Sequence, residues 1–289
     1  MAAFGFWNID SLRSLEDDGR ELPRLVAELA HERSLDVIFL LECKIPYPSL
    51  LAAFAGDPTY FPIGSADRFK VLARFDPKLM ERLELPVRSD RYDIWRLTLP
   101  LQKDVLISVV HGLDKWNNSQ EKQALLMQQL VAALSYFERE VGHDRTIVLG
   151  DFNANPFDSP VASVVGMNAV LSRTIAQRKP RRIASERYPY FYNPMWNLFG
   201  DEPRGSAPAT YYYNGSDTHE LYWHMLDQVL IRPSLVARFD VSALEIVTVV
   251  RGTALFHPRG TPDREQFSDH FPVVFEVDLS SEHDIRGPK

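Results

Sequence analysis

The sequence predicts an α/β protein with two packed sheets flanked by helices. Two regularities carry that expectation. Short apolar strands alternate with amphipathic helices through the first half of the chain, and strands dominate its end. Most of these strands also run directly into a polar side chain capable of chemistry.

The first strand, Phe4-Gly5-Phe6-Trp7, leads to Asn8. Leu22, Leu25, Val26 and Leu29 then recur at helical spacing, with Pro23 tolerable in a first turn. The apolar run Asp36 to Leu41 reads as a buried strand ending at Glu42. Ile94 to Leu99 and Val105 to Val110 read as adjacent strands, the second ending at His111. Gln120 to Val141 is the clearest helix, with Leu125, Leu126, Leu130, Leu134 and Phe137 assigned to its apolar stripe. Thr146 to Leu149 enters Gly150-Asp151-Phe152-Asn153. A stretch from Pro156 to about Trp223 reads as irregular, and its length marks it as functional or partly disordered. Strands resume with Met225 to Ile231, which holds Asp227, and Val241 to Val250. The last strand, Phe271 to Val277, follows Asp269-His270.

The 289 residues suffice for one sizeable core, and no compositional shift marks a boundary. We expect a single domain over residues 1–279 and a C-terminal tail over 280–289. The single cysteine, Cys43, excludes an internal disulfide framework and fits a reducing, cytoplasmic location. Residues Met1 to Asp10 lack the pattern of a signal peptide, and no long apolar run predicts a membrane span. A net charge of −7 argues against a broadly basic surface.

Asn8, Glu42, His111, Asp151, Asn153, Asp227, Asp269 and His270 all stand at strand ends. Singly, each reads as a turn former, a cap or a structural histidine. Jointly they offer hard oxygen ligands suited to Mg²⁺ or Mn²⁺ and poorly suited to zinc. The histidines add proton carriers near neutral pH. A hard cation with proton shuttles is equipment for attack of water on a phosphorus ester.

Ile147-Val148-Leu149-Gly150-Asp151-Phe152-Asn153, followed by Pro156, resembles the Gly-Asp-Phe-Asn signature of the endonuclease/exonuclease/phosphatase superfamily. Ser268-Asp269-His270-Phe271-Pro272-Val273 resembles its closing Ser-Asp-His-x-Pro motif. Trp7-Asn8 is similar to the opening Trp-Asn, and Leu41-Glu42-Cys43-Lys44 to the Gln-Glu-x-Lys element. Asp227 falls on the family's late Asp strand, and His111 where deoxyribonuclease I and the sphingomyelinases carry a second histidine. The departures are Leu41 for the frequent glutamine and Gln228 after Asp227.

The resemblance implies a four-layer α/β sandwich of the deoxyribonuclease I type, two packed mixed β-sheets flanked by helices, with its site at one rim. It implies Mg²⁺ or Mn²⁺ as cofactor, with Glu42 the main ligand and Asn8 and Asp269 nearby. Asp151 and Asn153 would orient or activate water and contact the phosphate. Asp227 would fix the tautomer of His270, which acts as acid/base or stabilises phosphoryl charge. His111 would contact a phosphate oxygen or assist the leaving group.

For substrate, Arg173, Arg178, Lys179, Arg181, Arg182 and Arg187 form a basic segment followed by Tyr188, Tyr190, Phe191, Tyr192 and Trp196. Basic side chains can track a phosphate backbone and aromatics can stack on bases. A second aromatic group, Tyr211-Tyr212-Tyr213 with Trp223, precedes Asp227, and Asp217 and Glu220 nearby oppose a uniformly basic groove. The leading expectation is a nuclease acting on DNA or RNA, with Arg181, Arg182 and Trp223 as substrate contacts. The rivals are a phosphatase or phosphodiesterase of small or lipid phosphates, and a non-catalytic nucleic-acid-binding module. Nothing in the residues identifies a protein partner or a membrane contact.

Overall fold

Two strand–helix–strand units set the architecture in the computed structural model, which describes residues 1–9, 21–55, 59–64, 68–178, 180–201, 207–215 and 221–280. In the first unit, Ala2–Asn8 and Val37–Leu41 pair in parallel, with Phe6 opposite Phe39, and helix Glu21–Glu32 lies between them in sequence. In the second, Val105–His111 and Thr146–Asp151 pair in parallel, with helix Gln120–Val141 between them. Parallel neighbours require such crossovers, and strands covered on both faces read as unbroken apolar runs. Val37 to Leu41 are accordingly all buried.

Antiparallel strands extend each of these parallel pairs, and Ala169–Val170 adds a parallel edge to the second sheet. One six-stranded sheet runs Phe239–Ile246, Val273–Val277, Ala2–Asn8, Val37–Leu41, Phe69–Ala73, Phe61–Pro62. A seven-stranded sheet runs Met80–Arg82, Tyr92–Leu97, Val105–His111, Thr146–Asp151, Asp227–Ile231, Phe191–Tyr192, Ala169–Val170. The pleat sends Ile107 and Leu149 into the core shared with Phe6, Phe39 and Phe275, and sends Leu106 and Val148 to the opposite face. There Leu126, Met127, Leu130, Leu134 and Phe137 of the long helix cover them. The order helix, sheet, sheet, helix is the four-layer sandwich.

Two expectations are corrected. Leu125 is 56% exposed and is not part of the helix's buried stripe; Gln123 is buried there instead, anchoring loop carbonyls of Leu113 and Asn153. The segment from Pro156 to Trp223 is not irregular throughout, since it holds the two-stranded hairpin Arg181–Ile183/Glu186–Tyr188 and the short pair Tyr211–Tyr212/Trp223–His224. Strands of two or three residues are too short for an alternating pattern to register. Lys179, Asp217, Glu220 and tail residues 281–289 lie outside the described residues. Among the described residues, no helix is long and apolar enough to cross a membrane.

Candidate active site at the rim of the sheets

Strand direction explains why distant residues meet. Asn8, Glu42, His111 and Asp151 sit at or just beyond the carboxyl ends of the parallel strands, and those ends share one rim. Antiparallel neighbours begin at the same rim, so Asp227 lies opposite Asp151 and His270 just precedes Val273–Val277. Glycine at 150 is required by the packing here. Its φ is +139°, and a Cβ would overlap the Val110 backbone of the adjacent strand.

Hydrogen bonds hold this rim together both within the six-stranded sheet and, through Asn8 and Asp151, between the two sheets. Asn8 Nδ2 donates to Asp151 Oδ2 at 3.1 Å, and Trp7 Nε1 donates to the His270 carbonyl at 2.9 Å. Ser268 Oγ donates to the Asn8 carbonyl at 2.6 Å and accepts from the His270 N–H at 3.0 Å, which accounts for serine in that motif. Asp151 also accepts from the Asn153 backbone at 2.8 Å and from Asn153 Nδ2 at 3.1 Å. Glu42 and Asn153 both adopt left-handed backbone, with φ of 54° and 50°. For glutamate this is a strained conformation, of the kind found where side-chain direction matters.

The two histidines are held in opposite ways. His270 Nδ1 and Asp227 Oδ2 stand 2.8 Å apart and buried. Burial opposes a charged imidazole, but Asp227, aided by Asp151 and Asp269, outweighs it and raises the pKa to about 10. At His111 burial leads, with Arg68 and Arg91 adding to it, and the pKa falls to about 3. Arg68 Nη1 lies 2.7 Å from His111 Nδ1, while His111 Nε2 faces Glu42 Oε1 at 3.2 Å. Burial raises the Asp151 pKa, with the charges of Asp227 and Glu42 adding to it and His270 opposing it.

Asn8, Glu42, His111, Asp151, Asn153, Asp269 and His270 line one cavity of about 180 Å³, with Asp114, Trp116, Tyr211 and Leu226. Asp227 stands behind His270. Among the described residues, no three His, Cys, Asp or Glu side chains form a ligand cluster by themselves. The donor set still fits Mg²⁺ or Mn²⁺, which bind through one or two carboxylates and keep several waters. The buried Oδ1 of Asn8 has no hydrogen-bond partner, an acceptor that a cation beside Glu42 and Asp269 would satisfy.

Three residues expected at the site are not brought into this cavity. Arg181 and Arg182 are on the exposed hairpin that leads to Tyr190. Arg232, one residue beyond the far end of Asp227–Ile231, donates to the Pro189 and Tyr190 carbonyls. The hairpin therefore adjoins the end of the sheet away from Asp227. Trp223 pairs with Tyr212 and packs near Phe271. Trp116 and Tyr211 line the cavity instead, the Tyr211 ring 4.9 Å from that of His270, and Arg68 stands behind His111. Sequence reasoning missed Arg68, which belongs to no motif, and Trp116, whose signal was a tryptophan stranded in a polar loop.

Gln228 explains one departure from the motif. It donates to the Ala154 and Met225 carbonyls and accepts from Asn193, pinning the loop that carries Asn153.

Residues 5–270 match the Endonuclease/Exonuclease/phosphatase family. No curated protein sequence matches the chain. Among solved structures, a family protein from Leptotrichia buccalis C-1013-b is similar with a TM-score of 0.57 at 13% identity, covering 96% of this chain and 100% of that one. D. rerio TDP2 complexed with a single-strand DNA product gives 0.54 at 16%, covering 95% and 97%. The 3′ phosphatase NExo from Neisseria, bound to a product DNA hairpin, gives 0.53 at 15%, covering 96% and 100%. With the family match spanning nearly the whole chain and the motif residues gathered at one rim, this chain belongs to the endonuclease/exonuclease/phosphatase family.

Proposed function

We propose that this protein is a divalent-metal-dependent phosphodiesterase, and specifically a nuclease that hydrolyses DNA or RNA. One observation carries the reading. The His270–Asp227 pair and the Asp151–Asn153–Asn8 set face one cavity that also contains Glu42, His111 and Asp269.

In this reading the phosphodiester enters the cavity between His270 and Asp151. Asp151, held by Asn8 and Asn153, orients a water and accepts its proton as the water oxygen bonds to phosphorus. His270, charged and fixed by Asp227, donates a hydrogen bond to the phosphoryl oxygens as negative charge builds on them. His111 presents Nε2–H toward the Glu42 side of the same cavity. The ester oxygen leaves as the phosphorus–oxygen bond breaks and takes up a proton from solvent, to which Asp151 releases the one it accepted. Glu42, Asn8 and Asp269 would hold Mg²⁺ or Mn²⁺, which stabilises phosphoryl charge when bound. Positioning and electrostatics supply most of the rate.

Nucleic acid is favoured by two aromatic side chains that line the cavity, Trp116 and Tyr211. The matched DNA-product complexes add only that the fold accommodates such ligands. A small or lipid phosphoester is the second reading, favoured by the net charge of −7 and by Arg181 and Arg182 lying away from the cavity.

The test is incubation with single- and double-stranded DNA, RNA and inositol phosphates, with Mg²⁺, Mn²⁺ or EDTA, beside His270→Ala. Metal-dependent strand cleavage that the variant loses is the expected result. Phosphate release from small substrates with polymers untouched would move the protein to the second reading.

A further inference from the structure

Trp116 stands in the polar loop Asp114–Asn118, at the mouth of the cavity. It keeps 41% of its surface exposed, so it is no part of the core. Its ring stacks on Tyr213 with centroids 4.2 Å apart and planes 24° apart, and meets the edge of His224. Hydrogen bonds hold the backbone on both sides of the stack. The Trp116 N–H donates to Asp114 Oδ1 at 2.8 Å, and the Asn118 amide donates to the Asp114 carbonyl at 3.0 Å. The Tyr213 N–H donates to the Tyr222 carbonyl at 2.7 Å, and a Cβ at Gly215 would overlap the Tyr213 ring. Lys115 Nζ lies over the indole ring, 5.1 Å from its centroid, and is itself 3.2 Å from His224 Nδ1 and 3.9 Å from Asp158 Oδ2.

Resting on the nuclease reading, we propose that Trp116, braced by Tyr213, is a stacking platform for an unpaired nucleobase flanking the scissile phosphodiester. A cavity of about 180 Å³ is smaller than the ~300–1,000 Å³ pockets that engulf drug-sized ligands. It takes the reacting phosphodiester and leaves the adjoining base at the rim, where Trp116 stands. Stacking tolerates any base, because each has a π face, and it requires a base released from its own helical stack. The substrate class is therefore a single strand or an unpaired end. A ring already fixed in place stacks without the entropy loss of ordering it.

The test uses the full chain as wild type, Trp116→Ala and Trp116→Phe, with matched thermal melts as folding controls. The substrates are a single-stranded oligonucleotide and copies with a tetrahydrofuran abasic unit on either side of the cut. Trp116→Ala should raise KM about tenfold on the base-bearing strand, the scale of one lost stacking contact. Trp116→Phe should recover most of that. One abasic copy should be cut equally by wild type and Trp116→Ala. An unchanged ratio between base-bearing and abasic substrates in Trp116→Ala overturns the platform and leaves the nuclease reading standing.

A second arm needs no turnover. Adenosine 5′-monophosphate in EDTA should quench tryptophan fluorescence in wild type and not in Trp116→Phe. Quenching without any polymer cleavage supports the platform and sinks the nuclease reading alone. Absence of both quenching and abasic discrimination overturns the platform.

Discussion

The guanidinium of Arg68 donates to Nδ1 of His111 at 2.7 Å. Because a guanidinium can only donate, Nδ1 must accept, and the ring proton sits on Nε2, 3.2 Å from Glu42 Oε1. His270 has the opposite arrangement, with a carboxylate behind its Nδ1. A cation behind one imidazole and an anion behind the other divide the cavity into a neutral donor and a charged one.

Arg68→Ala should therefore cut kcat about ten- to a hundredfold, the scale of losing one charge-assisted hydrogen bond of ~1.5–3 kcal/mol. Arg68→Lys should recover part of it, since an ammonium donates but lacks the guanidinium fork. Nitrogen NMR of His111 should show Nδ1 unprotonated in wild type and a tautomer mixture in Arg68→Ala. A single, unchanged tautomer in that variant would remove Arg68 as its positioning residue.

The left-handed backbone at Glu42 yields a prediction independent of substrate. Glycine adopts that conformation freely, whereas a Cβ there costs about 1–2 kcal/mol. Glu42→Gly should be more stable than Glu42→Ala by about 1 kcal/mol in urea unfolding, the reverse of their usual order. Both variants should lose most turnover. Alanine proving equal or better would show that the backbone relaxes.

Gln228 is buried and makes three hydrogen bonds that a leucine cannot. Gln228→Leu would leave the Asn193 amide and two carbonyls unpaired, at about 1–3 kcal/mol for each buried group left without a partner. We expect a loss of at least ~2 kcal/mol by denaturant unfolding, with turnover reduced as the Asn153 loop loosens. A variant as stable as wild type would mean that water replaces the side chain.

His143 provides a pH dependence remote from the cavity. Burial, then Arg145 and Lys103, lowers its pKa below 6.5, and its Nδ1 accepts the Arg145 N–H at 3.3 Å. A depressed histidine pKa means the unfolded chain binds the proton more readily. The stability it contributes is full above pH ~6.5 and falls as pH drops below that value. Wild type should lose more stability than His143→Gln between pH 7.5 and 5.5. The difference should stay below the ~1 kcal/mol of one net hydrogen bond, since the side chain is partly solvated. Parallel pH profiles would exclude His143 as the source.

Legibility followed the length of the pattern. Val37 to Leu41 and Thr146 to Leu149 announce buried strands because both their faces are covered. Asn8, Glu42, Asp151, Asp227 and His270 could be named in advance because each directly adjoins or closes such a strand. Phe61–Pro62 and Ala169–Val170 could not be read, since two residues are too few for an alternating pattern and each only completes a sheet edge. Arg181 and Arg182 lie away from the cavity, a placement their composition could not give because it reports charge and not direction. Nothing local tells which end of a sheet a hairpin will adjoin. Arg68 and Trp116 were hidden for the same reason, as their meaning comes from what they touch.

The bond from Asn8 to Asp151 crosses from one sheet to the other within the buried rim. Neither half of the chain contains a working set of groups, so competence is conditional on closure of the whole sandwich. A chain whose sheets have separated would lack this assembled set even where each sheet kept its strands. The interface between the sheets is thereby a checkpoint on assembly of the site.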